Sequence, residues 1–296
     1  MLTIFSTPKP FEGHVGVIQR NALKSWTLLH PDCEVILLGD ELGTAEAARD
    51  FGIRHVPQVE CNESGTPYLN SIFGQAQNLA SYRLVCYVNC DIMLMSDFWL
   101  AVQRVSSWRE RFLMIGRRWN VDVMEPWRFQ SPDWEHHLRT HVFIRGKLLT
   151  QHAIDYFVFP REMYSEIPPF VIGRFWWDHW LVWRARSISV PVVDATPSVM
   201  AVHQNHDYSY HPQGFLGVLH GREAQVNREF AGNGRHLFTI DDATHRFTRR
   251  GIERNRFFWM APWRRKLVRL ANATWYPALE ATKPLRYALG LRRWRA

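Results

Sequence analysis

A chain of 296 residues with 46% hydrophobic and 22% charged residues has the make-up of an ordinary globular protein, which excludes the disordered, collagen-like and disulfide-scaffold classes. The formal net charge of +8 is unevenly placed: residues 246–296 carry 14 Lys/Arg against 2 Asp/Glu, which leaves residues 1–245 at −4. A nucleic-acid surface spread over the body is thereby excluded, and only the tail is basic.

The elements alternate from the start. Leu2 to Ser6 is a β-rich run closed by Thr7-Pro8, and Val15 to Leu29 carries Ile18, Ala22, Trp26 and Leu29 at helical spacing. Glu34 to Leu38, closed by Gly39-Asp40, is a second strand; Thr44 to Phe51 is a short helix stopped by Gly52, and His55 to Val59 is a third strand. Thr66-Pro67 opens a helical stretch to about Ser81, and Leu84 to Val88 is the most apolar strand of the set. Strands interleaved with helices predict an α/β fold with a mostly parallel, Rossmann-like sheet. After Phe112 to Gly116 the alternation fails, and Arg117 to His141, with Trp119, Trp127, Trp134, His136, His137 and His141, reads as a long aromatic loop. Asp155 to Phe159 is again strand-like, Phe170 to Trp183 is helical in its second half, and Ser198 to Val202 leads into His203-Gln204-Asn205-His206-Asp207.

Four cysteines, Cys33, Cys61, Cys86 and Cys90, form no C-x-x-C pair, so a reducing compartment is expected. Met1 to Phe5 has no basic run ahead of it, and no stretch reaches 18 apolar residues; neither a signal peptide nor a membrane span is expected, and the expected location is the cytoplasm.

In open sheets of this kind ligands bind beyond the carboxyl ends of the strands. There stand Thr7-Pro8, Asp40-Glu41, Asn62 to Thr66 and Asn89-Cys90-Asp91. Neither G-x-G-x-x-G after the first strand nor G-x-x-x-x-G-K-[ST] anywhere is present, which argues against dinucleotide enzymes and P-loop hydrolases. Asp91 is either a turn residue or a ligand for a hard divalent cation that neutralises a diphosphate. Thr7 and Pro8 offer backbone to a nucleotide, and Arg20 on the first helix is either a phosphate contact or a solvated residue.

Asn89-Cys90-Asp91, with Thr66-Pro67-Tyr68-Leu69-Asn70 ahead of it, resembles the GT-A glycosyltransferases, family 2 in particular, in which a short acidic motif after the fourth strand holds a metal on a sugar nucleotide's diphosphate. The chain departs from that pattern in having Asn89 where the first acid stands. The resemblance implies donor-site roles for Asp40, Asn70, Asn89 and Asp91, with Asp91 as metal ligand. Arg174 to Trp180 is similar to the family's acceptor segment, implying Asp178 as the general base of an inverting transfer and Trp176 and Trp177 against the acceptor; core aromatics and a helix-face acid are the alternative. His203 stands where the family often supplies a further metal ligand, with His206 in competition, and an imidazole beside a carboxylate suits Mn²⁺ better than Mg²⁺.

The expected organisation is a catalytic domain over 1–245, divided into a nucleotide-sugar half (1–116) and an acceptor half (117–245), followed by a basic helical tail (246–296). The expected activity is transfer of a sugar from a nucleoside diphosphate donor to a hydroxyl of a glycan, lipid-linked or small-molecule acceptor, with Mn²⁺ or Mg²⁺. A sugar nucleotidyltransferase and a non-catalytic carbohydrate- or RNA-binding protein are the alternatives. In the tail, Trp263, Leu267, Leu270, Ala271 and Trp275 share one helical arc and Arg265, Lys266 and Arg269 another. That pattern reads as a peripheral element on an anionic membrane surface, with packing on the body as the main alternative and nucleic acid ranked below both.

Overall fold

The computed structural model describes residues 1–207, 214–263 and 265–267, with backbone alone at 215, and it divides into two units, Met1–Asn255 and Arg256–Ala296. In the first unit the elements are β1 (Leu2–Ser6), α1 (Gly13–Thr27), β2 (Cys33–Leu38), α2 (Thr44–Phe51), β3 (Arg54–Val56), α3 (Leu69–Leu79), β4 (Leu84–Val88), β5 (Ile92–Met93), α4 (Ser96–Trp108) and β6 (Leu113–Val121). There follow α5 (Trp134–Arg145), β7 (Lys147–Leu148), β8 (Ile154–Pro160), α6 (Trp177–Ser187), β9 (Val192–Asp194), β10 (Ala201–Gln204), α7 (Gly214–His220), α8 (Arg222–Phe230), β11 (His245–Thr248) and β12 (Gly251–Arg254).

The main sheet runs β12-β11-β9-β6-β8-β4-β1-β2-β3. Its β3-β2-β1-β4 part is parallel throughout, as the alternation of strand and helix predicts. Both faces are covered. Leu2 and Ile4 of β1 and Cys86 and Val88 of β4 face a core completed by Trp26 of α1 and Phe98 and Val102 of α4. Phe5, Val85 and Tyr87 alternate to the other face, where Ile72 and Phe73 of α3 and Trp180 and Leu181 of α6 close the second core. Two-sided burial explains why β4 reads as an unbroken apolar run.

The second half is mixed. β8 lies antiparallel between β4 and β6, and β6 serves two layers: Leu113–Ile115 pair with β9 in the main sheet, while Arg118–Val121 pair with β10, which in turn runs antiparallel to β5. Residues 117–141, expected to be a loop, are therefore regular at both ends, since β6 continues to Val121 and α5 starts at Trp134, and a loop only between them. The far half of β6 is only partly buried and α5 buries just Leu138 and Val142, so neither shows a clear apolar period. The register of β6 against β8 shifts between Ile115 and Arg117. A Cβ on the intervening Gly116 would lie 2.1 Å from the Tyr156 hydroxyl, so this approach needs glycine.

The β11–β12 hairpin joins the sheet through β9, so the first unit ends at Asn255 rather than at 245, where the charge run had placed the boundary. In the second unit, Trp259, Trp263 and Leu267 are exposed; Leu270, Ala271 and Trp275 of the expected arc, and Arg269, lie outside the described residues. Among the described residues no helix is long and apolar enough to cross a membrane.

Candidate metal and donor site

Backbone pairing brings Asp91 and His203 together. The turn after β4 is closed by the Ile92 N–H donating to the Asn89 carbonyl at 3.1 Å, and His203 on β10 pairs with Ile92. The next residue locks the register: the Gln204 N–H donates to the Asp91 carbonyl at 3.2 Å. The fully buried Gln204 amide gives its two Nε2 hydrogens to the carbonyls of Ile18 (2.7 Å) and Asp91 (3.2 Å), and its oxygen accepts from Asn21 Nδ2 at 2.9 Å. The Trp26 indole N–H caps the Ile92 carbonyl from α1 at 2.9 Å.

Three side chains converge as a result. Asp91 Oδ2 lies 3.1 Å from His206 Nε2 and 3.8 Å from His203 Nε2, and one donor atom from each residue falls within 4.8 Å of the others. His206 Nδ1 is 2.6 Å from the Asp207 carbonyl, which places a proton on Nδ1; in the neutral ring Nε2 then carries a lone pair. At 3.1 Å that lone pair faces a carboxylate oxygen, and two acceptors so close need a cation or proton between them. A ring whose second nitrogen is held by a backbone carbonyl is the usual arrangement of a metal-binding histidine. Asp91 Oδ1 and His203 Nδ1 are buried without a hydrogen-bond partner among the described residues. Burial pushes His203 down to about 3, so its ring is neutral and free to ligate at physiological pH. Burial alone would raise the Asp91 carboxyl, but the His203 and His206 rings and the Lys9 ammonium outweigh it and hold the group well below the usual carboxylate range. An ionised oxygen donor with two imidazole nitrogens fits a divalent cation such as Mn²⁺.

The surroundings are charged as well. Lys9, after β1, reaches within 3.3 Å of His206 Nε2 and 3.9 Å of Asp91 Oδ2, and burial lowers its pKa. Asp155 of β8 sits beside the turn, its carbonyl accepting from the Asn89 N–H at 3.0 Å and its carboxylate paired with Arg118 at 2.8 Å. Burial raises the Asp155 pKa against the pull of Arg118, and the negative charges of Asp91 and Asp178 add to the rise. Three acids from three elements thus share one electrostatic neighbourhood.

The remaining expected site residues divide. Asn89 spends both ends of its amide, accepting from the Tyr87 hydroxyl at 3.0 Å and donating to Asp155 at 2.5 Å. Thr7 follows β1 with its hydroxyl buried and unpartnered among the described residues, and Pro8 is buried next to Lys9. Asp178 lies in the first turn of α6; its Oδ1 is buried without a partner among the described residues and its Oδ2 is 3.8 Å from His179 Nε2. Trp176, just before α6, has a φ of 98°, a strained value for a bulky residue, and is half-buried under the Arg228 guanidinium. Trp177 was expected against an acceptor, but it is a core residue, edge-on to Tyr87 at 5.3 Å and packed on Phe157. Asp40 is exposed in the loop after β2, and Asn70 lines a separate groove along α3 with Gln77, Glu162 and Tyr164; the contacts described here join neither of them to the Asp91 cluster. Arg20 pairs with exposed Asp50 across the surface at 2.9 Å, the solvated alternative.

Sequence reading missed Lys9, Arg118, Asp155 and Gln204. Asp155 left a signal, being the one acid in the otherwise uncharged Ile154–Pro160 strand, all of it buried. Lys9, between two prolines, left none.

No family model matches the chain and no curated protein sequence matches it. Solved structures similar to it include M. tuberculosis glucosyl-3-phosphoglycerate synthase, 12% identical over 80% of each chain with a TM-score of 0.48. The same synthase in complex with Mn²⁺, UDP-glucose and phosphoglyceric acid is 14% identical over 78% of this chain and 80% of that chain, with a TM-score of 0.47. S. aureus TarS 1–349 in complex with UDP-GlcNAc is 10% identical over 69% of this chain and 58% of that chain, with a TM-score of 0.46. At these values the likeness assigns no chemistry to this chain, and the side chains carry the reading.

Proposed function

We propose that the chain is a metal-assisted glycosyltransferase that moves a sugar from a nucleoside diphosphate donor to an acceptor hydroxyl. The observation that carries the reading is the convergence of Asp91, His203 and His206, with His206 Nε2 and Asp91 Oδ2 3.1 Å apart, beyond the end of a parallel strand. Asp91, His203 and His206 would hold Mn²⁺ or Mg²⁺, and a cation there offsets the charge that develops on a leaving diphosphate.

Asp178 is the base in this reading. It takes the acceptor's hydroxyl proton as the acceptor oxygen bonds to the sugar's anomeric carbon and the bond from that carbon to the diphosphate oxygen breaks. Two features support the assignment: an Oδ1 that spends no hydrogen bond within the described residues, and a carboxylate whose charge acts on Asp155 beside the metal turn. Asp155 keeps Arg118 aimed at the same turn through their 2.8 Å ion pair. Trp176 offers the half-buried aromatic face that an acceptor sugar packs against.

The test is thermal stabilisation by a panel of nucleoside diphosphate sugars with and without Mn²⁺, in the wild type and Asp91→Asn. A ligand at about 100 times its Kd adds roughly 2.7 kcal/mol to the folded state. The expected result is a rise in melting temperature that needs both nucleotide and Mn²⁺ and vanishes in Asp91→Asn. A Mn²⁺-dependent rise that survives in Asp91→Asn overturns the reading.

A further inference from the structure

Lys9 is held in place with unusual care for a lysine in a loop. Its backbone N–H donates to Gln19 Oε1 at 2.7 Å, and its carbonyl accepts from Gln19 Nε2 at 2.8 Å. Gln19 is itself 2% exposed on α1, so this two-point clamp fixes the base of the side chain from the helix. From there the Lys9 stem runs inward and brings Nζ to within 3.3 Å of His206 Nε2 and 3.9 Å of Asp91 Oδ2. These are two of the donor atoms that converge in the metal cluster. The Lys9 ammonium and a divalent cation therefore claim the same lone pair and the same carboxylate oxygen.

The two cations cannot share those atoms at full strength. A doubly charged ion bonded to Asp91 and His206 repels an ammonium only a few ångströms away, and each weakens the other's hold on the carboxylate. Lysine, unlike arginine, is a flexible point charge on a four-carbon stem and can turn its ammonium without moving its backbone. With its backbone clamped and its side chain about one-third exposed, Lys9 has solvent-side room to turn into. Turned away from Asp91 and His206, the ammonium is drawn to a negatively charged acceptor. An anion brought in with the metal supplies one.

Resting on the glycosyltransferase reading above, we propose that Lys9 is an exchangeable internal cation: it competes with the divalent metal for Asp91 and His206, and once displaced it binds the diphosphate oxyanions of the donor. Metal alone is then held weakly, and metal and nucleoside diphosphate bind together, each raising the other's affinity through the same lysine.

The experiment measures Mn²⁺ binding by the loss of the free-ion electron paramagnetic resonance signal, and UDP binding by calorimetry at saturating Mn²⁺. It uses the full chain as wild type, Lys9→Met, Gln19→Leu and Asp91→Asn, with melting curves to confirm that each variant folds. Lys9→Met keeps the length of the stem and removes the charge. It should bind Mn²⁺ in the absence of nucleotide about tenfold more tightly than wild type, and bind UDP about tenfold more weakly, each corresponding to the worth of one charged hydrogen bond. Gln19→Leu, which frees the backbone of Lys9, should shift both affinities in the same directions by less. Mn²⁺ affinity in Lys9→Met that is unchanged or weakened, while Asp91→Asn abolishes binding, overturns the exchange and leaves the metal site standing. Mn²⁺ binding that is absent in the wild type, or equal in wild type and Asp91→Asn, overturns the metal site and the exchange with it.

Discussion

Gln204 ties the fold to the site, and replacing it separates the two. Gln204→Leu conserves volume roughly but deletes three hydrogen bonds, to the Ile18 carbonyl, the Asp91 carbonyl and the Asn21 amide. Each buried bond contributes about 1 kcal/mol net, and leaving a partner unsatisfied costs about 1–3 kcal/mol. The Asn21 amide keeps its 3.2 Å bond to the Glu125 carbonyl, the Asp91 carbonyl keeps the Gln204 N–H, and the Ile18 carbonyl keeps its place in the α1 ladder, so the orphan penalty falls on one Asn21 amide hydrogen and the rest of the cost is the three lost bonds. The expected loss is therefore about 3 kcal/mol, a fall in melting temperature of roughly 6–12 °C for a unit of this size. Because the same amide grips the Asp91 turn and β10, Mn²⁺ affinity should drop alongside stability. Gln204→Glu, which keeps one acceptor and brings a charge into a fully buried position, should be at least as damaging. Thermal melts and Mn²⁺ titration of the two variants check both halves. A Gln204→Leu protein that melts within about 2 °C of wild type would show that the network contributes little, and the link between fold and site would fail with it.

Asp178→Asn should leave donor affinity near wild type and lower turnover to acceptor by about 100-fold or more, read as separate changes in binding and kcat; equal loss of donor binding would make Asp178 a donor-site residue. Gly116→Ala should destabilise by about 1–3 kcal/mol by overpacking against Tyr156, and Gly116→Ala combined with Tyr156→Phe should recover part of that loss in urea unfolding. Glu223 joins Asn62, Thr66 and Arg174; burial would raise its pKa, but these partners outweigh it and lower it from 4.5. Its contribution is thus complete above about pH 4.5 and lost as pH falls through the lower folded value, so the stability gap between wild type and Glu223→Gln should be constant from pH 7 to 5 and close below pH 4. The basic segment from 246 onward should bind vesicles in proportion to their anionic lipid, and less as salt rises, in a sedimentation assay; binding to neutral vesicles at equal strength would refute the electrostatic part.

What sequence reading reaches here follows from burial. Leu2–Ser6 and Leu84–Val88 are covered on both faces and read as strands to the residue. The flanking helices carry apolar stripes because each covers one face of the sheet, as Ile72, Phe73 and Ala76 do on α3. The parallel half of the sheet is therefore written in local pattern. The antiparallel insertion of β8 is not: Ile154–Pro160 reads as a strand in any position, and only tertiary pairing decides that it parts β4 from β6. The site follows the same division. Asp91 and His203 are visible because each ends or follows a strand-like run, whereas Lys9 and Arg118 are brought in by a clamp from α1 and by a shift of register at Gly116, neither of which has a local sequence period.

That division also separates the two halves of the proposed chemistry. Asp91, His203 and Asp155 stand on or directly beside three strands whose registers are fixed by backbone pairing: His203 opposite Ile92, and the Asp155 carbonyl on the Asn89 N–H. Two of the three metal ligands, Asp91 and His203, are preorganised this way, since displacing either requires breaking strand pairing as well as a side-chain contact, while His206 follows the end of β10. Asp178 is held differently. It enters from a helix start preceded by the left-handed Trp176, and the segment that carries it is tied down by side chains, through the Arg174–Glu223 ion pair at 2.7 Å and the Asn227 amide, which gives 2.9 and 3.2 Å bonds to the Val171 and Phe175 carbonyls. Loosening one of those ties should therefore move the base without disturbing the metal. Arg174→Met should lower turnover to acceptor while leaving Mn²⁺ affinity within about twofold of wild type, whereas Gln204→Leu should weaken Mn²⁺ first. Loss of Mn²⁺ affinity in Arg174→Met equal to that in Gln204→Leu would show the two halves to be one mechanical unit and refute the division.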